Sequence, residues 1–218
     1  MYDEGHPVAR RPHYAAPRKA GTDMGHSQAE KAATRARVLQ LASRKVRTEG
    51  VTRLGIAELM NEAGLTHGGF YKHFASRDDL IAQAAAVALA EGTAKMERAA
   101  NKNEQDARAG LIDAYLTKRH RDAPATGCAV VSLGASAGRN DSDFKDAYEK
   151  QVRAYLELIE GLDDSDDARA EAMLTLSALV GALLMSRAVA DKNFSDELLQ
   201  TVAERLKQRG PQASPTLA

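Results

Sequence analysis

The stretch from Ile56 to Leu80, IAELMNEAGLTHGGFYKHFASRDDL, admits few folds. Ile56, Leu59, Met60 and Ala63 recur at helical spacing. Gly64 then supplies the backbone freedom for a tight turn, and Leu65, Phe70 and Phe74 give a second short helix its own apolar side. Two short helices locked at a steep angle by such a set form a helix-turn-helix. Thr52 and Thr66 are placed to cap the two helices, and Ser76 with Asp79 makes a capping-box-like start for the next one. The second helix turns Thr66, His67, Gly68, Gly69, Tyr71, Lys72 and His73 outward. That surface is short, polar, partly cationic and carries one aromatic, which suits a DNA major groove about 12 Å wide.

The rest of the chain is also helical. Ser27 opens a long helix with Val38, Leu41, Ala42 and Val46 on one stripe, and Gly50 stops it. Further helices are expected at about 77–99, 106–121, 128–138, 143–161, 166–190 and 195–208, separated by polar breaks. No strand-like alternation or internal repeat interrupts them. The expected fold is all-α: a three-helix DNA-binding domain at 27–75, a ligand-binding and dimerisation domain at 76–208, and tails at 1–26 and 209–218. Charge follows the same division. Residues 27–80 hold nine Lys/Arg against six Asp/Glu, and residues 81–218 hold seventeen against twenty-one, so a basic module sits on an acidic body within a neutral chain. Arg10, Arg11, Arg18 and Lys19 suit either an ordinary tail or an arm for the minor groove.

Composition excludes other classes. At 44% hydrophobic residues the chain can build a core, and with no Trp and 5% aromatics that core is mostly aliphatic. The uninterrupted apolar run near Ala178 to Met185 is far shorter than the roughly 20 residues of a membrane span, so no membrane partner is expected. A single cysteine allows no intramolecular disulfide and fits a reducing, cytoplasmic setting. The six histidines are scattered, so no metal or other cofactor is expected. There is no phosphate-binding Gly loop after a strand, no nucleophile elbow and no close Cys-His pair, so no enzyme is expected.

Residues 30–80 resemble the DNA-binding domain of the TetR/AcrR family of transcriptional regulators. The likeness rests on Thr34-Arg35, Ile56-Ala57, Ala63-Gly64, Gly68, Phe70-Tyr71, His73-Phe74 and Ser76-Arg77 through Leu80. Beyond residue 80 only the helix count, Gly127-Cys128 and Val180 with Arg187-Ala188 look familiar. The resemblance implies an all-α homodimer, a double-stranded DNA operator, and repression relieved by a small-molecule inducer. It places Tyr71 and Thr66 on phosphates with Arg35 nearby, and His67, Gly68, Gly69 and Lys72 nearest base edges. Thr52 and His73 complete the candidate DNA-binding set. Gly69 stands where many relatives carry Thr, Ser or Ala. Two glycines weaken a helix by roughly 1 kcal/mol each relative to Ala, but let the backbone approach DNA closely and favour readout of its shape.

In the C-terminal domain, Tyr115, Tyr148 and Tyr155 are candidate ligand-binding residues, with few charges on their stripes, so a neutral or weakly polar organic inducer is expected. Phe144, Tyr148, Tyr155 and Ile159 form a stripe that suits core packing as well as a ligand wall. Cys128 is expected in the first turn of a helix, where the helix dipole stabilises a thiolate, and it is a candidate sensor of electrophiles. The competing reading is a small buried packing residue. Leu176, Val180, Leu183, Leu184 and Arg187, with Leu198 and Val202, are the expected dimer interface. The sequence thus reads as a ligand-responsive repressor released from a palindromic operator by a small organic or electrophilic inducer. The alternative is a helical small-molecule-binding or interaction protein without specific DNA binding.

Overall fold

The computed structural model describes residues 23–103, 105–139 and 142–209. The basic tail from Arg10 to Lys19 and the end after Arg209 lie outside the described residues. Among the described residues there are nine α-helices, in chain order α1 Asp23–Thr48, α2 Ile56–Glu62, α3 Arg77–Ala100, α4 Ala107–Tyr115, α5 Lys118–Asp122, α6 Ala129–Ala137, α7 Ser142–Glu160, α8 Ala168–Ala188 and α9 Lys192–Gln208. Three 3₁₀ turns join them, at Val51–Arg53, His67–Lys72 and Pro124–Thr126. Among the described residues there is no strand.

The buried apolar residues form one continuous cluster that runs from α1 through α3 and α7 to α8 and α9. On α1, Val38, Ala42 and Val46 are fully buried, as their spacing requires. Helix α3 is the spine, with α1, α4, α6 and α7 packed against it. Ser76 Oγ accepts from Asp79 N at 3.0 Å and caps α3, while Asp79 Oδ2 accepts from Ala75 N at 2.9 Å. Such a cap is worth roughly 1 kcal/mol. The reciprocal bond lands one residue before its expected position.

Several local expectations change. Helix α1 starts at Asp23, four residues early. Thr52 caps nothing, because it lies inside the 3₁₀ turn, and α2 begins only at Ile56, after Gly55. The single helix expected over 106–121 breaks at Leu116, since Thr117 Oγ1 accepts from His120 N at 3.0 Å and caps α5 separately. Helix α9 starts at Lys192 because Asp191 Oδ1 accepts from Asn193 N at 2.7 Å and from Phe194 N at 3.2 Å.

Helix α8 has two apolar sides. Ala172, Leu176, Leu179, Ala182 and Leu183 face the bundle. Met173, Leu174, Leu184 and Met185 lie on the opposite side and are exposed, with open space over Gly181. By length and composition this helix could cross a membrane, but a third of its apolar window is buried in the bundle.

Candidate functional site

The turn after α2 is built as the sequence requires. Gly64 takes a φ of 73°, in the left-handed region that other residues rarely adopt. Leu65 N donates to Met60 O at 2.8 Å across the turn. Below it Leu59, Met60, Phe70 and Phe74 are buried, and the Phe70 and Phe74 rings stack with centroids 5.6 Å apart. Lys45 of α1 ties this head together through Glu49, Glu58 and Glu62 at 3.4, 2.7 and 3.3 Å. Arg77 of α3 holds the 51–54 turn by donating to the carbonyls of Val51, Thr52 and Leu54 at 2.8, 3.1 and 3.3 Å.

The second helix of the motif is a 3₁₀ helix, His67–Lys72, in place of the expected α-helix. Thr66 stands at its N-cap with no side-chain bond. Gly68 and Gly69 explain the change, since glycine raises the entropic cost of a regular helix. Neither is demanded by crowding. A Cβ on Gly68 would meet nothing within 4 Å, and one on Gly69 only ordinary contacts at 3.7 and 3.8 Å. The glycines leave the surface bare where side chains would fit.

Thr66, His67, Gly68, Tyr71 and Lys72 are exposed together, and Tyr71 presents 71% of its surface. Thr52 is exposed on the preceding turn, and its neighbour Arg53, which the sequence reading passed over, is exposed beside it. His73 is half-buried, and its Nδ1 is buried without a partner. Burial and the cations Lys31, Arg35 and Lys72 hold it below the usual histidine pKa, so it is neutral. Arg35 points inward as well. Its Nε donates to His73 O at 3.3 Å, its Nη2 bonds Gln83, and its guanidinium lies 5.3 Å from the centre of the Phe74 ring. Arg35 therefore fastens α1 to the end of the 3₁₀ helix and to α3.

A cavity of about 320 Å³ lies between α3, α4 and α7, closed at one end by the 126–128 segment. Cys128, Tyr115 and Tyr155 line it; Tyr148 does not. Tyr148 Oη donates to Val130 O at 3.1 Å and packs over Gly134. Of the stripe on α7, Phe144 and Ile159 are core, and Tyr155 is both core and cavity wall. Its hydroxyl lies over Gly92, where any Cβ would collide with it. Cys128 is the N-cap of α6, one residue before the expected first turn, and its Sγ is 3.8 Å from Tyr155 Oη. The thiol is buried, so its approach is through the cavity. His120 Nε2 accepts from Cys128 N at 2.9 Å, which leaves Nδ1 to donate to Tyr115 O at 2.7 Å. Burial lowers the His120 pKa and keeps this neutral form.

The third wall, α3, was not legible as a wall. It brings Lys95 and Arg98, followed by Lys102 just past its end, to a cavity whose other stripes carry few charges. Lys95 Nζ donates to Thr126 O at 2.7 Å. The same 124–128 segment is held from the other side. Arg47 of α1, buried, donates from Nη1 to Ala125 O at 3.2 Å and from Nη2 to Ala88 O and Glu91 Oε2 at 2.7 and 2.6 Å. Arg187 donates to His120 O at 2.7 Å and Arg121 O at 3.1 Å, so it serves its own fold.

Of the remaining candidates for an interface, Leu184 is exposed and Val180, Leu198 and Val202 are half-buried. Leu176 and Leu183 are buried within the chain itself. Among the described residues no three His, Cys, Asp or Glu side chains gather as a metal would need.

Residues 38–84 match the sequence profile of a family described as bacterial regulatory proteins, tetR family. No curated protein matches the chain by sequence. Solved structures share the fold. NemR of E. coli, in its reduced form, is 20% identical over 80% of this chain and 95% of its own, with a TM-score of 0.68. A TetR transcriptional regulator from Chloroflexus aurantiacus is 18% identical over 84% and 98%, with a TM-score of 0.72. A TetR-family regulator from Streptomyces coelicolor is 20% identical over 87% and 96%, with a TM-score of 0.65.

Proposed function

We propose that this chain, a DNA-binding transcriptional regulator of the bacterial TetR family, is a cytoplasmic repressor that binds a palindromic operator as a homodimer and is released by a small organic or electrophilic inducer. Residues 27–75 read DNA, and residues 76–208 bind the inducer and the second copy. Tyr71 and Thr66 contact phosphates. His67, Lys72 and the bare backbone at Gly68 and Gly69 face the bases, with readout weighted toward groove shape. Arg35, His73 and Thr52 support that surface from behind and beside it. Leu174, Leu184 and Met185 of α8, with Phe194, Leu198 and Val202 of α9, meet their counterparts in the second copy, because a two-fold contact is self-complementary.

The observation that carries the reading is a bonded path from cavity to DNA-reading surface. Residues 126–128 wall the cavity, Arg47 ties the adjoining Ala125 to α1, and Arg35 ties α1 to His73 at the end of the 3₁₀ helix. A ligand that displaces the segment shifts α1 and α3, and so the spacing of two recognition elements in a dimer. It does so only by the difference in its affinity for the two states, typically 5–150-fold.

Mobility shift on the DNA upstream of the chain's own gene tests this. The expected complex holds two chains on half-sites roughly 34–36 Å apart, and Tyr71→Phe weakens it. Absence of any saturable complex at micromolar protein would favour a helical small-molecule-binding or interaction protein.

A further inference from the structure

We infer that the cavity takes a small amphipathic organic acid: a carboxylate at the Lys95–Arg98–Lys102 edge, an apolar body, and a hydrogen-bond acceptor at the buried end. This rests on the reading of the cavity as the inducer site and names the inducer's class. Three cations line the cavity, and no carboxylate does among the described residues. Arg98 and Lys102 have no ion pair among the described residues, and Lys95 lies 3.8 Å from Glu91, which Arg47 already holds at 2.6 Å. The end of α3 favours cations by its dipole, which accounts for Arg98 and Lys102 but not for Lys95, a turn further back, where burial lowers the pKa of its ammonium. Such a site is short of negative charge.

The cavity is also short of an acceptor. Tyr115 lines it and is 6% exposed, and its buried hydroxyl, set beside the weakly bonding Cys128 thiol, has no nitrogen or oxygen partner. Burial pushes its pKa well up, so it stays protonated and can only gain by donating. His120 offers nothing, since both ring nitrogens are bonded. Met96, Ala99, Leu111 and Ala114 supply an apolar lining. A volume of about 320 Å³ is at the small end of ligand pockets, roughly 300–1,000 Å³. The carboxylate also has a means of action. It competes with Thr126 O for Lys95, and a charged acceptor makes the stronger bond. Lys95 then lets go of the 124–128 segment that Arg47 links to α1.

The test uses the full chain with benzoate, 4-acetylbenzoate and octanoate, each beside its neutral amide, by calorimetric titration. At least one acid should bind saturably, and its amide at least tenfold more weakly. Lys95→Gln with Arg98→Gln should cost the acid at least tenfold and leave the amide unchanged. Tyr115→Phe should erase any advantage of 4-acetylbenzoate over benzoate. Amides binding as well as acids, no binding by any acid at millimolar concentration, or an unchanged acid affinity in the double variant would overturn the assignment. DNA release is read separately. An acid that binds but leaves the DNA complex intact defeats the inducer reading and not the ligand class. Neutral compounds that alone release DNA defeat the class and not the inducer reading.

Discussion

The helix-turn-helix head and the cavity are built on opposite principles. The head is assembled from residues within one short stretch, and its fully buried side chains, Leu59, Met60, Phe70 and Phe74, hold it rigid. The cavity is assembled from α3, α4, His120 of α5, residues 126–128 and Tyr155 of α7, with Gly92 and Tyr155 far apart in sequence. It keeps a buried hydroxyl without a partner and a lysine that bonds only a loop carbonyl and a distant carboxylate. Rigidity suits a surface that must match a groove. Unmet bonding suits a site whose occupant has yet to arrive, because a ligand gains most where polar groups are otherwise unsatisfied.

That contrast is easiest to break with paired truncations. Phe70→Ala should cost about 3–5 kcal/mol of stability, as for other buried phenylalanines. Tyr115→Phe, which removes an unpartnered hydroxyl, should cost less than about 1 kcal/mol or stabilise. Denaturant unfolding of both variants checks this. A large loss in Tyr115→Phe would mean that the hydroxyl is already satisfied.

The two sides of α8 give the next largest effect. Leu184→Glu should leave the isolated chain folded but yield monomers by sedimentation and abolish operator binding. Leu183→Glu should unfold the chain, since Leu183 is 0% exposed. Dimers that survive Leu184→Glu would move the interface elsewhere. On the head, Lys72→Ala should weaken operator binding by about 1–3 kcal/mol and relax specificity at the base it faces, with non-operator DNA bound nearly as before. Equal losses on operator and random DNA would move Lys72 from the base edges to the phosphates.

The smallest effect is a pH dependence. Burial holds the His120 pKa below its usual 6.5, so the unfolded chain takes up a proton there before the folded one does. Stability from this group is therefore present above pH 6.5 and lost as pH falls below it. The fall in melting temperature between pH 7.5 and roughly pH 5 should be smaller in His120→Gln, and an equal fall would show that His120 contributes none of it.

The same contrast explains what the sequence could tell. The head was legible because Gly64, the Phe70–Phe74 spacing and the Ser76–Asp79 cap act over a few residues. Where the structure departs from that reading, a 3₁₀ helix replaces an α-helix, Thr52 and Thr66 make no side-chain cap and His73 is half-buried, because the effect of glycines and caps depends on packing. Tyr115, Tyr155 and Cys128 were named without sight of the cavity they share. Lys95, Arg98 and Lys102 were missed because an exposed cation on a helix looks the same whether it faces bulk water or a pocket mouth. On α8 the pattern does not tell the two apolar sides apart, so it groups Leu183 with Leu184 although the first is buried in the bundle and the second is exposed.

On the proposed mechanism, filling the cavity loosens the hold on DNA through the 124–128 segment. Cys128, the chain's sole thiol, allows a direct test. Stoichiometric labelling with N-ethylmaleimide places a bulky group on the cavity wall, and DNA affinity is then measured by fluorescence anisotropy. The expected result is at least a tenfold loss in labelled wild type, no loss in treated Cys128→Ser, and a much smaller loss in Arg47→Met, where the link to α1 is cut. Fully labelled protein that binds DNA as tightly as before would contradict it.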